Sequence, residues 1–459
     1  MRDCACLSLL VWTLLTGLSP DSFTFAGAHG PESWRIIRAA GPQLPLVGRL
    51  RTRHAREIQS SPWSVGCETL DRDYTVYDNY RAHIGPLGAK RARIQAGWAK
   101  CEKVKGRYDW AWLDHVIADL NAQGVRPWVC ICYGNEIYPG GGTSRLGGKL
   151  PTSDEALAAW QRWVEAMVRR YKGRVCEWEV WNEPAWGYSA RMKKALRQAR
   201  LSQYLRYLLT AETIRAVDPE AKLFAVAASH PRSLFIPDFL EAMKGRKKLH
   251  LIDAITYHAY TGRPEDHYPG VDQLERTVAR YSDRIAIRQG ESGCPSVRHE
   301  VHALRGRPWT EIKQAKWYLR RMLGDASRGI PSSVFTIVDI RYPNVLLSMG
   351  LLRANDRKEV LYRKPAYYAV QHVMSILDGT VRPMPPVEFH AAPDLALQVV
   401  VFRKAGKPLV FVWQAPPGIP SDDLAWRPVE LKLETIAFDD PVLVELVGPR
   451  VCAWPGPMA

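Results

Sequence analysis

Short apolar segments alternate with longer amphipathic segments from about residue 63 to residue 377. The short segments predict buried β-strands, and apolar residues that recur every three or four positions predict helices that cover a sheet. Because strands that alternate with helices form parallel sheets, eight such units predict a closed (β/α)8 TIM barrel. Two sheets packed back to back are the alternative. The eight candidate strands are residues 63–68, 91–96, 125–132, 175–181, 223–228, 254–258, 285–290 and 334–338.

After residue 378 the apolar positions recur with a period of two instead. Residues 395–403 and 408–413 flank Lys404-Ala405-Gly406-Lys407, which predicts a β-hairpin. Further strands are expected at 429–434 and 442–447. We therefore predict a (β/α)8 barrel at residues 63–378 and a small β-sandwich-like domain at residues 379–459. The N-terminal segment 29–62 is expected to pack on that β domain.

The N-terminus resembles a secretory signal. Arg2 precedes an apolar run at residues 7–18, and a polar stretch then ends in Ala26-Gly27-Ala28. A signal peptide at residues 1–28 predicts a secreted or periplasmic protein; a short buried helix is the alternative. No stretch of about eighteen apolar residues is present, so no stable membrane insertion is expected.

Charge and cysteine content narrow the classes of partner. The 459 residues carry 63 basic and 47 acidic side chains, a net charge of +16, which favours acidic partners in general. Nucleic-acid binding would require a basic stripe or a known module, and the sequence contains neither. Seven cysteines follow the signal, at an odd number and sparse spacing, which predicts neither a disulfide scaffold nor a zinc site.

The strongest chemical signal is the segment Trp181-Asn182-Glu183-Pro184, which ends the fourth candidate strand. In a barrel the carboxyl ends of the strands form the active site, so Glu183 is expected at the mouth beside Asn182. Glu291 follows the seventh strand in the same way and lies three strands further round. Two carboxylates facing each other across a barrel mouth are the arrangement that glycoside cleavage requires.

Two further strand ends carry candidate site residues. The sixth strand ends in Tyr257-His258-Ala259-Tyr260, where a tyrosine hydroxyl can hydrogen-bond a nucleophile and keep it ionised. The second strand contains Arg93, which is placed to pair with a carboxylate, and Trp98 follows it as a candidate for stacking on a sugar ring. A barrel-lining ion pair, a core histidine and a core tryptophan are the alternatives.

These motifs resemble the retaining glycoside hydrolases of clan A. Within that clan the chain is most similar to family 39, which contains β-xylosidases and α-L-iduronidases. The supporting segments are residues 108–114, 124–127, 258–260 and 364–369, and the resemblance covers about residues 63–377 with a trailing β domain.

The resemblance implies a role for each matching residue. Glu183 would be the acid/base and Glu291 the nucleophile, while Asn182 would bind the sugar 2-hydroxyl. His258 and Tyr260 would line the subsite, and Arg93 matches an arginine often found on the second strand. Gly290 is a departure, because an apolar residue or threonine commonly precedes the nucleophile.

The expected reaction is hydrolysis of an O-glycosidic bond in a polysaccharide or oligosaccharide by double displacement. It requires no metal and no organic cofactor. Asn135 and Trp186 are additional candidate substrate-binding residues, since the glycine-rich segment 133–151 is expected to form a wall of the cleft. A non-catalytic glycan-binding barrel and a transglycosylase are the alternatives.

The sugar itself is not determined by these motifs. A basic mouth formed by Arg93, Lys100 and Arg341 would favour an acidic carbohydrate such as a uronic acid or a sulfated sugar. The linkage, the anomer and the oligomeric state are left open.

Overall fold

The computed structural model describes residues 45–185, 187–390, 395–423, 432–433, 442–446 and 450–453. The predicted signal peptide, residues 29–44 of segment 29–62, and Trp186 lie outside these residues. Within the described part of the chain, no helix is both long enough and apolar enough to cross a lipid bilayer.

The predicted barrel is confirmed. One strand, β1 (Leu46–Arg49), precedes it, and eight parallel strands then pair in chain order until the last pairs with the first. At the closing seam Trp63 lies opposite Ser332, and Val65 lies opposite Val334. The barrel strands are β2 (Trp63–Gly66), β3 (Arg91–Gln95), β4 (Arg126–Ile131), β5 (Glu177–Val180), β6 (Lys222–Ala228), β7 (Ala254–His258), β8 (Ala286–Ser292) and β9 (Ser332–Val334).

Helices surround the barrel and pack their apolar faces against it. Helix α4 (Ala111–Ala122) begins where the Ala111 N–H donates to Asp109 Oδ1 at 3.0 Å, and α5 (Asp154–Tyr171) begins where Ser153 accepts from the Ala156 N–H at 3.2 Å. Such side-chain caps satisfy the free N–H groups of a first helical turn. The described helices are α1 (Tyr77–Tyr80), α2 (Ile84–Leu87), α3 (Trp98–Cys101), α4 (Ala111–Ala122), α5 (Asp154–Tyr171), α6 (Lys194–Tyr204), α7 (Arg206–Val217), α8 (Phe235–Gly245), α9 (Tyr268–Ala279), α10 (Glu311–Ser327) and α11 (Pro365–Ile376).

The last barrel strand differs from its prediction. It was expected at residues 334–338, yet β9 begins at Ser332 and ends at Val334. Beyond β9 the chain still bonds the end of β2, since Thr336 Oγ1 donates to the Gly66 carbonyl at 2.6 Å and the Ile337 N–H donates to the same carbonyl at 2.9 Å. Two short hairpins that the sequence pattern did not predict follow, β10 (Ile340–Tyr342) with β11 (Val345–Leu347) and β12 (Leu352–Ala354) with β13 (Val360–Arg363).

Several short sheets follow α11. The predicted hairpin forms from β16 (Leu397–Lys404) and β17 (Lys407–Gln414), and Lys404 pairs with Lys407 across its turn. Ala405 and Gly406 have φ values of 49° and 81°, the left-handed pair that a tight hairpin turn requires. Strand β1 pairs with β20, so a residue range before the barrel joins one after it. The strands are β14 (Arg382–Pro383), β15 (Phe389–His390), β16 (Leu397–Lys404), β17 (Lys407–Gln414), β18 (Lys432–Leu433), β19 (Val442–Val444) and β20 (Arg450–Ala453).

The barrel interior contains ion pairs rather than only branched apolar side chains. Alternate residues of a strand point to opposite faces, so Ala92 and Ile94 pack outward while Arg91 and Arg93 point inward. Near the amino ends of the strands, Glu177 accepts from Arg91 Nε at 2.8 Å and from Arg288 Nη1 at 2.9 Å. The barrel therefore presents layers of charge that lead up to the mouth.

Candidate active site

The acid-bearing turn after β5 is formed by unusual backbone conformations. Trp181 and Glu183 have φ values of 68° and 47°, both in the left-handed region that non-glycine residues rarely adopt. The Trp181 N–H still bonds the Ile131 carbonyl at 3.0 Å, so the strand edge is held while the next residues turn away. As a result Asn182 is buried, whereas the side chain of Glu183 is 24% exposed at the mouth. Strain of this kind clusters at functional sites.

Glu291 reaches the mouth through an irregularity in the pairing of β7 with β8. Tyr257 lies opposite Gln289, but the next residue, His258, lies opposite Glu291. This shift brings the Glu291 carboxylate next to the His258 ring, with Oε2 3.4 Å from Nδ1. A Cβ at Gly290 would lie 3.4 Å from the His258 ring, an ordinary contact, so the departure at Gly290 does not conflict with the placement of Glu291.

Both oxygens of the Glu291 carboxylate accept hydrogen bonds. Arg93 Nη1 donates to Oε1 at 2.6 Å, and the Tyr260 hydroxyl donates to Oε2 at 2.9 Å. Burial and the Glu291 charge raise the pKa of Tyr260 well above its ordinary value, so the hydroxyl keeps the proton that it donates. Hydrogen bonds to both oxygens hold the carboxylate in one orientation.

His258 bridges the two predicted catalytic carboxylates. Its Nδ1 lies 2.9 Å from Glu183 Oε1 and 3.4 Å from Glu291 Oε2, and these distances together limit the separation of the two oxygens to 6.3 Å. Burial acts to lower the pKa of His258, but Glu291 and Glu183 outweigh it and raise the pKa above its ordinary value. Carboxyl groups of retaining glycosidases lie about 5–5.5 Å apart, and those of inverting enzymes about 6.5–9.5 Å.

Arg93 is the centre of the buried part of the site. Its guanidinium has no exposed surface and donates from Nε to Glu179 at 2.7 Å and from Nη2 to Asn182 Oδ1 at 2.8 Å. Because Oδ1 of Asn182 is occupied in this way, its Nδ2 points to the Tyr133 hydroxyl at 3.0 Å. Arg93 thus orients the predicted nucleophile and the asparagine at once.

The predictions that Arg93 and His258 contact substrate need correction. Both side chains are fully buried. They lie behind the carboxylates and contact those groups rather than the open cleft. The predicted pairing of Arg93 with a carboxylate is confirmed.

Trp98 and Asn135 were also predicted to bind substrate, and the structure does not support this. Trp98 is fully buried, stacks on Tyr138 with ring centroids 5.4 Å apart, and donates to Glu102 at 2.6 Å. Asn135 is 1% exposed and donates to the Glu102 carbonyl at 2.8 Å. Both side chains donate to Glu102 and so connect the loops that follow β3 and β4. Trp186 lies outside the described residues.

The sequence analysis missed Glu68, Glu179 and Thr256. Glu68 accepts from Arg93 Nη1 at 2.9 Å, and Thr256 donates to the other oxygen of Glu179 at 2.5 Å. Glu68 is the last residue of the first candidate strand, 63–68, so the strand-end rule that found Glu183 and Glu291 would have found it. Glu179 lies within a strand, where only the barrel register shows which way it points.

Among the described residues, no group of three or more histidine, cysteine, aspartate or glutamate side chains is arranged to hold a metal ion. Cys130 and Cys132 point to the same side, as their spacing predicted, with sulfur atoms 3.7 Å apart. Both are fully buried beside Arg93. They belong to the core under the site.

Comparison with known proteins agrees with this geometry. The family model described as glycosyl hydrolases family 39 matches residues 92–286, which include Glu183. Among curated proteins, no sequence matches the chain.

Solved structures share the fold. A family 39 glycoside hydrolase from the gut symbiont Bacteroides cellulosilyticus WH2 is 19% identical, with a TM-score of 0.59 over 86% of this chain and 79% of that chain. A monomeric beta-xylosidase from Caulobacter crescentus CB15 is 18% identical, with a TM-score of 0.52 over 78% and 76%. The GH39 enzyme from Xanthomonas axonopodis pv. citri is 20% identical, with a TM-score of 0.51 over 87% and 79%.

The sequence match, the closed barrel and the two facing carboxylates all point in one direction. The chain is a glycosidase, and it is similar to glycoside hydrolase family 39 over residues 92–286.

Proposed function

We propose that Glu291 is the nucleophile and Glu183 the acid/base of a retaining O-glycosidase. This assignment rests on the two carboxylates that His258 bridges. Because its Nδ1 lies 2.9 Å from a Glu183 oxygen and 3.4 Å from a Glu291 oxygen, these two oxygens are no more than 6.3 Å apart. That limit agrees with a direct attack on the sugar and leaves little space for an intervening water.

In the first step a Glu291 oxygen attacks the anomeric carbon and forms a glycosyl ester. The bond from that carbon to the leaving oxygen breaks, and Glu183 gives its proton to the oxygen. In the second step Glu183 takes a proton from water, whose oxygen displaces Glu291 from the anomeric carbon. The donors on Glu291, Arg93 and Tyr260, keep its carboxylate oriented before each cycle.

The test is release of nitrophenol from a panel of aryl glycosides by the wild type, Glu291→Ala and Glu183→Ala. We expect activity in the wild type and its loss in Glu291→Ala, with azide restoring turnover to a glycosyl azide of inverted configuration. Glu220→Ala, which changes an exposed glutamate away from the mouth, is the matched control. Undiminished activity in Glu291→Ala would overturn the assignment.

Product analysis separates hydrolysis from transglycosylation. With a second sugar or an alcohol present, a hydrolase releases mainly free sugar, whereas a transglycosylase transfers the sugar to the acceptor. We expect hydrolysis to dominate. Transfer products in excess at low acceptor concentration would favour the alternative.

We further propose that the substrate is an acidic carbohydrate. The residues that support this proposal differ from the three that the sequence analysis named. Arg93 is neutralised by buried carboxylates, Lys100 pairs with Asp73 at 2.5 Å, and Arg341 pairs with Asp356 at 2.8 Å. These three cations are therefore engaged within the protein.

The support comes from the segment that follows the acid/base. Between Glu183 and Glu212 the chain carries six lysine or arginine residues and no acidic residue. Arg191, Lys193 and Lys194 are exposed on the approach to α6. Since loops after barrel strands surround the mouth, this basic segment is expected to contact the leaving-group side of a polyanionic chain.

The test compares Lys193→Glu/Lys194→Glu with the wild type on uronate-containing or sulfated oligosaccharides and on neutral ones. We expect the variant to lose about tenfold in kcat/KM on the anionic substrates only, an effect that salt removes. Arg246→Glu/Lys247→Glu, which makes the same charge change after α8, is the control. Equal effects on neutral and anionic substrates would contradict the proposal.

We also propose that residues 1–28 direct secretion. N-terminal sequencing of protein produced in a secreting host is expected to begin at His29. A chain that retains Met1 in the cytoplasm would contradict this.

A further inference from the structure

Glu68 shares one nitrogen of Arg93 with the predicted nucleophile. Arg93 Nη1 donates to Glu68 Oε1 at 2.9 Å and to Glu291 Oε1 at 2.6 Å. Glu68 is 2% exposed, and its second oxygen, Oε2, is enclosed without a hydrogen-bond partner among the described residues. Glu68 therefore contacts the nucleophile's partner without reaching the cleft.

The charges around Arg93 do not balance if every acid is ionised. One guanidinium faces Glu68, Glu179 and Glu291, all buried, and the His258 ring lies between Glu291 and Glu183. Like charges in a low-dielectric site raise each other's cost of ionisation, and one member of such a group commonly keeps a proton. Glu68 Oε2 accepts no hydrogen bond, so a proton can bind there without breaking one.

We propose that Glu68 is a positioning residue that works in its protonated form, and that its ionisation withdraws Arg93 from Glu291. With Glu68 neutral, the charge on Nη1 is available to Glu291. With Glu68 ionised, a second full carboxylate competes for the same N–H group and places negative charge beside the nucleophile. The proposal rests on the role assigned to Glu291 above.

The surroundings of Glu68 support a transition near neutral pH. Burial raises the pKa of Glu68 to about 7; Arg93 and His258 oppose the rise and Glu291 adds to it. The other titratable groups that interact with it stay neutral, because burial raises their pKa values well above their ordinary ranges. These groups are Cys67, Tyr80, Tyr260 and Tyr342.

The sign follows from that direction. Below the pKa of Glu68 the carboxyl is neutral and Arg93 serves Glu291; above it the competitor is charged. Glycosylation is therefore expected to fall on the alkaline side as Glu68 ionises. Glutamine has the same shape, offers the same acceptor to Arg93 and cannot ionise.

The experiment compares pH profiles of kcat/KM for the wild type and Glu68→Gln on a dinitrophenyl glycoside of the accepted sugar. This leaving group departs without a proton, so the profile of the glycosylation step does not depend on protonation of Glu183. We expect Glu68→Gln to match the wild type within about threefold at acidic pH and to move the alkaline limb up by about one pH unit or more.

Glu311→Gln is the matched control. The pKa of Glu311 is also raised by burial, but it lies on α10, where Tyr362 donates to it at 2.8 Å. Its replacement is expected to leave the limb in place. An unmoved alkaline limb in Glu68→Gln would overturn the proposal.

If Glu68→Gln does not fold, Glu68→Asp retains a titrating carboxyl one methylene further from Arg93. The limb should then persist at a displaced pH, and an undisplaced limb contradicts the role. Wild-type turnover and its loss in Glu291→Ala test the catalytic assignment separately, because this comparison concerns only the shape of the profile of an active enzyme.

Discussion

At the scale of single residues, the site depends on which atoms of Glu291 are already occupied. One oxygen accepts from Arg93 and the other from Tyr260, so the carboxylate is held in one orientation before substrate arrives. Hydrogen bonds to charged groups are stronger than neutral ones and resist rotation of the carboxylate. The orientation of the proposed nucleophile therefore depends on side chains of β3 and of the residues that follow β7.

Tyr260→Phe removes only the hydroxyl that donates to Glu291 Oε2. A hydrogen bond to a charged group contributes about 1.5–3 kcal/mol, so we expect kcat to fall about 10- to 100-fold. Stability should change little, since the ring remains packed against Phe335 with centroids 5.9 Å apart.

Steady-state kinetics on an aryl glycoside measures this effect. Tyr188→Phe, which removes a hydroxyl that donates to Asp238 at 2.6 Å, is the control and should keep wild-type kcat. A Tyr260→Phe enzyme with unchanged kcat would show that the hydroxyl does not assist Glu291.

At the scale of elements, the strands and the loops after them have separate tasks. The strands carry charged layers inside the barrel, and the loops fasten the cleft walls through buried polar groups. Glu102, at the end of α3, accepts from Trp98, Tyr138 and the Gly106 N–H and so joins two loops behind the cleft. A wall built in this way gives the cleft its shape without exposing its own aromatic rings.

Trp98→Ala tests the position of that tryptophan. Because Trp98 is fully buried, we expect a loss of about 3–5 kcal/mol in the free energy of unfolding. Urea denaturation measures this loss. A variant with wild-type stability and a raised KM would instead indicate a ring that stacks on sugar.

Glu177 tests the lower charged layer of the barrel. Burial acts to raise its pKa, but Arg288 and Arg91 outweigh it and hold the pKa below its ordinary range. Glu177→Ala leaves both arginines without their buried partner, and breaking such a pair costs about 3–5 kcal/mol. Chemical denaturation should show this loss.

Replacing Glu177, Arg91 and Arg288 together with methionine is the comparison. Since the desolvation cost of all three charges is then removed, the triple variant should be more stable than Glu177→Ala. A triple variant as unstable as the single one would mean that packing, rather than unpaired charge, causes the loss.

At the scale of the whole molecule, the two ends of the barrel differ. Glu183 and Glu291, the proposed catalytic carboxylates, lie at the carboxyl ends of the strands. At the opposite end a cavity of about 330 Å³ is lined by residues that include Trp63, Ile330, Leu377 and Phe402. Asp378 lies beside this cavity and pairs with Arg53, which precedes the barrel, and with Lys404 of β16 at 3.5 Å. One carboxylate thus joins three parts of the chain.

Asp378→Asn tests this junction through its pH dependence. Burial acts to raise the pKa of Asp378, but hydrogen bonds from Thr380 and Arg53 outweigh it and lower the pKa to about 2. A lowered folded pKa adds stability that is present above about pH 4 and is lost as the pH falls toward 2. The stability difference between wild type and variant should therefore be constant near neutral pH and shrink in acid.

Denaturant titrations at several pH values measure that difference. A gap that does not change with pH would mean that the carboxylate charge plays no part at this junction. Comparing the variant with the wild type cancels the pH dependence of stability that comes from the acids present in both proteins.

The sequence predicted the alternation of strands and helices, the hairpin at residues 404–407 and the two strand-end glutamates, because each is encoded by local periodicity or by residues at a strand terminus. Glu183 and Glu291 could be paired in advance since parallel strands present their carboxyl ends on one face. The hairpins after β9 were missed, because strands of three or four residues with charged members show no clear period.

Only the tertiary structure decided which polar residues face one another. The structure places Trp98 and Asn135 as buried residues. It also brings Glu68, Glu179 and Glu291 into contact with one guanidinium, that of Arg93. Those contacts join residues from strands β3, β5 and β8 and from the end of β2. Their separation along the chain exceeds any local pattern, so barrel closure and strand register, rather than sequence spacing, determine the chemistry at the centre of the site.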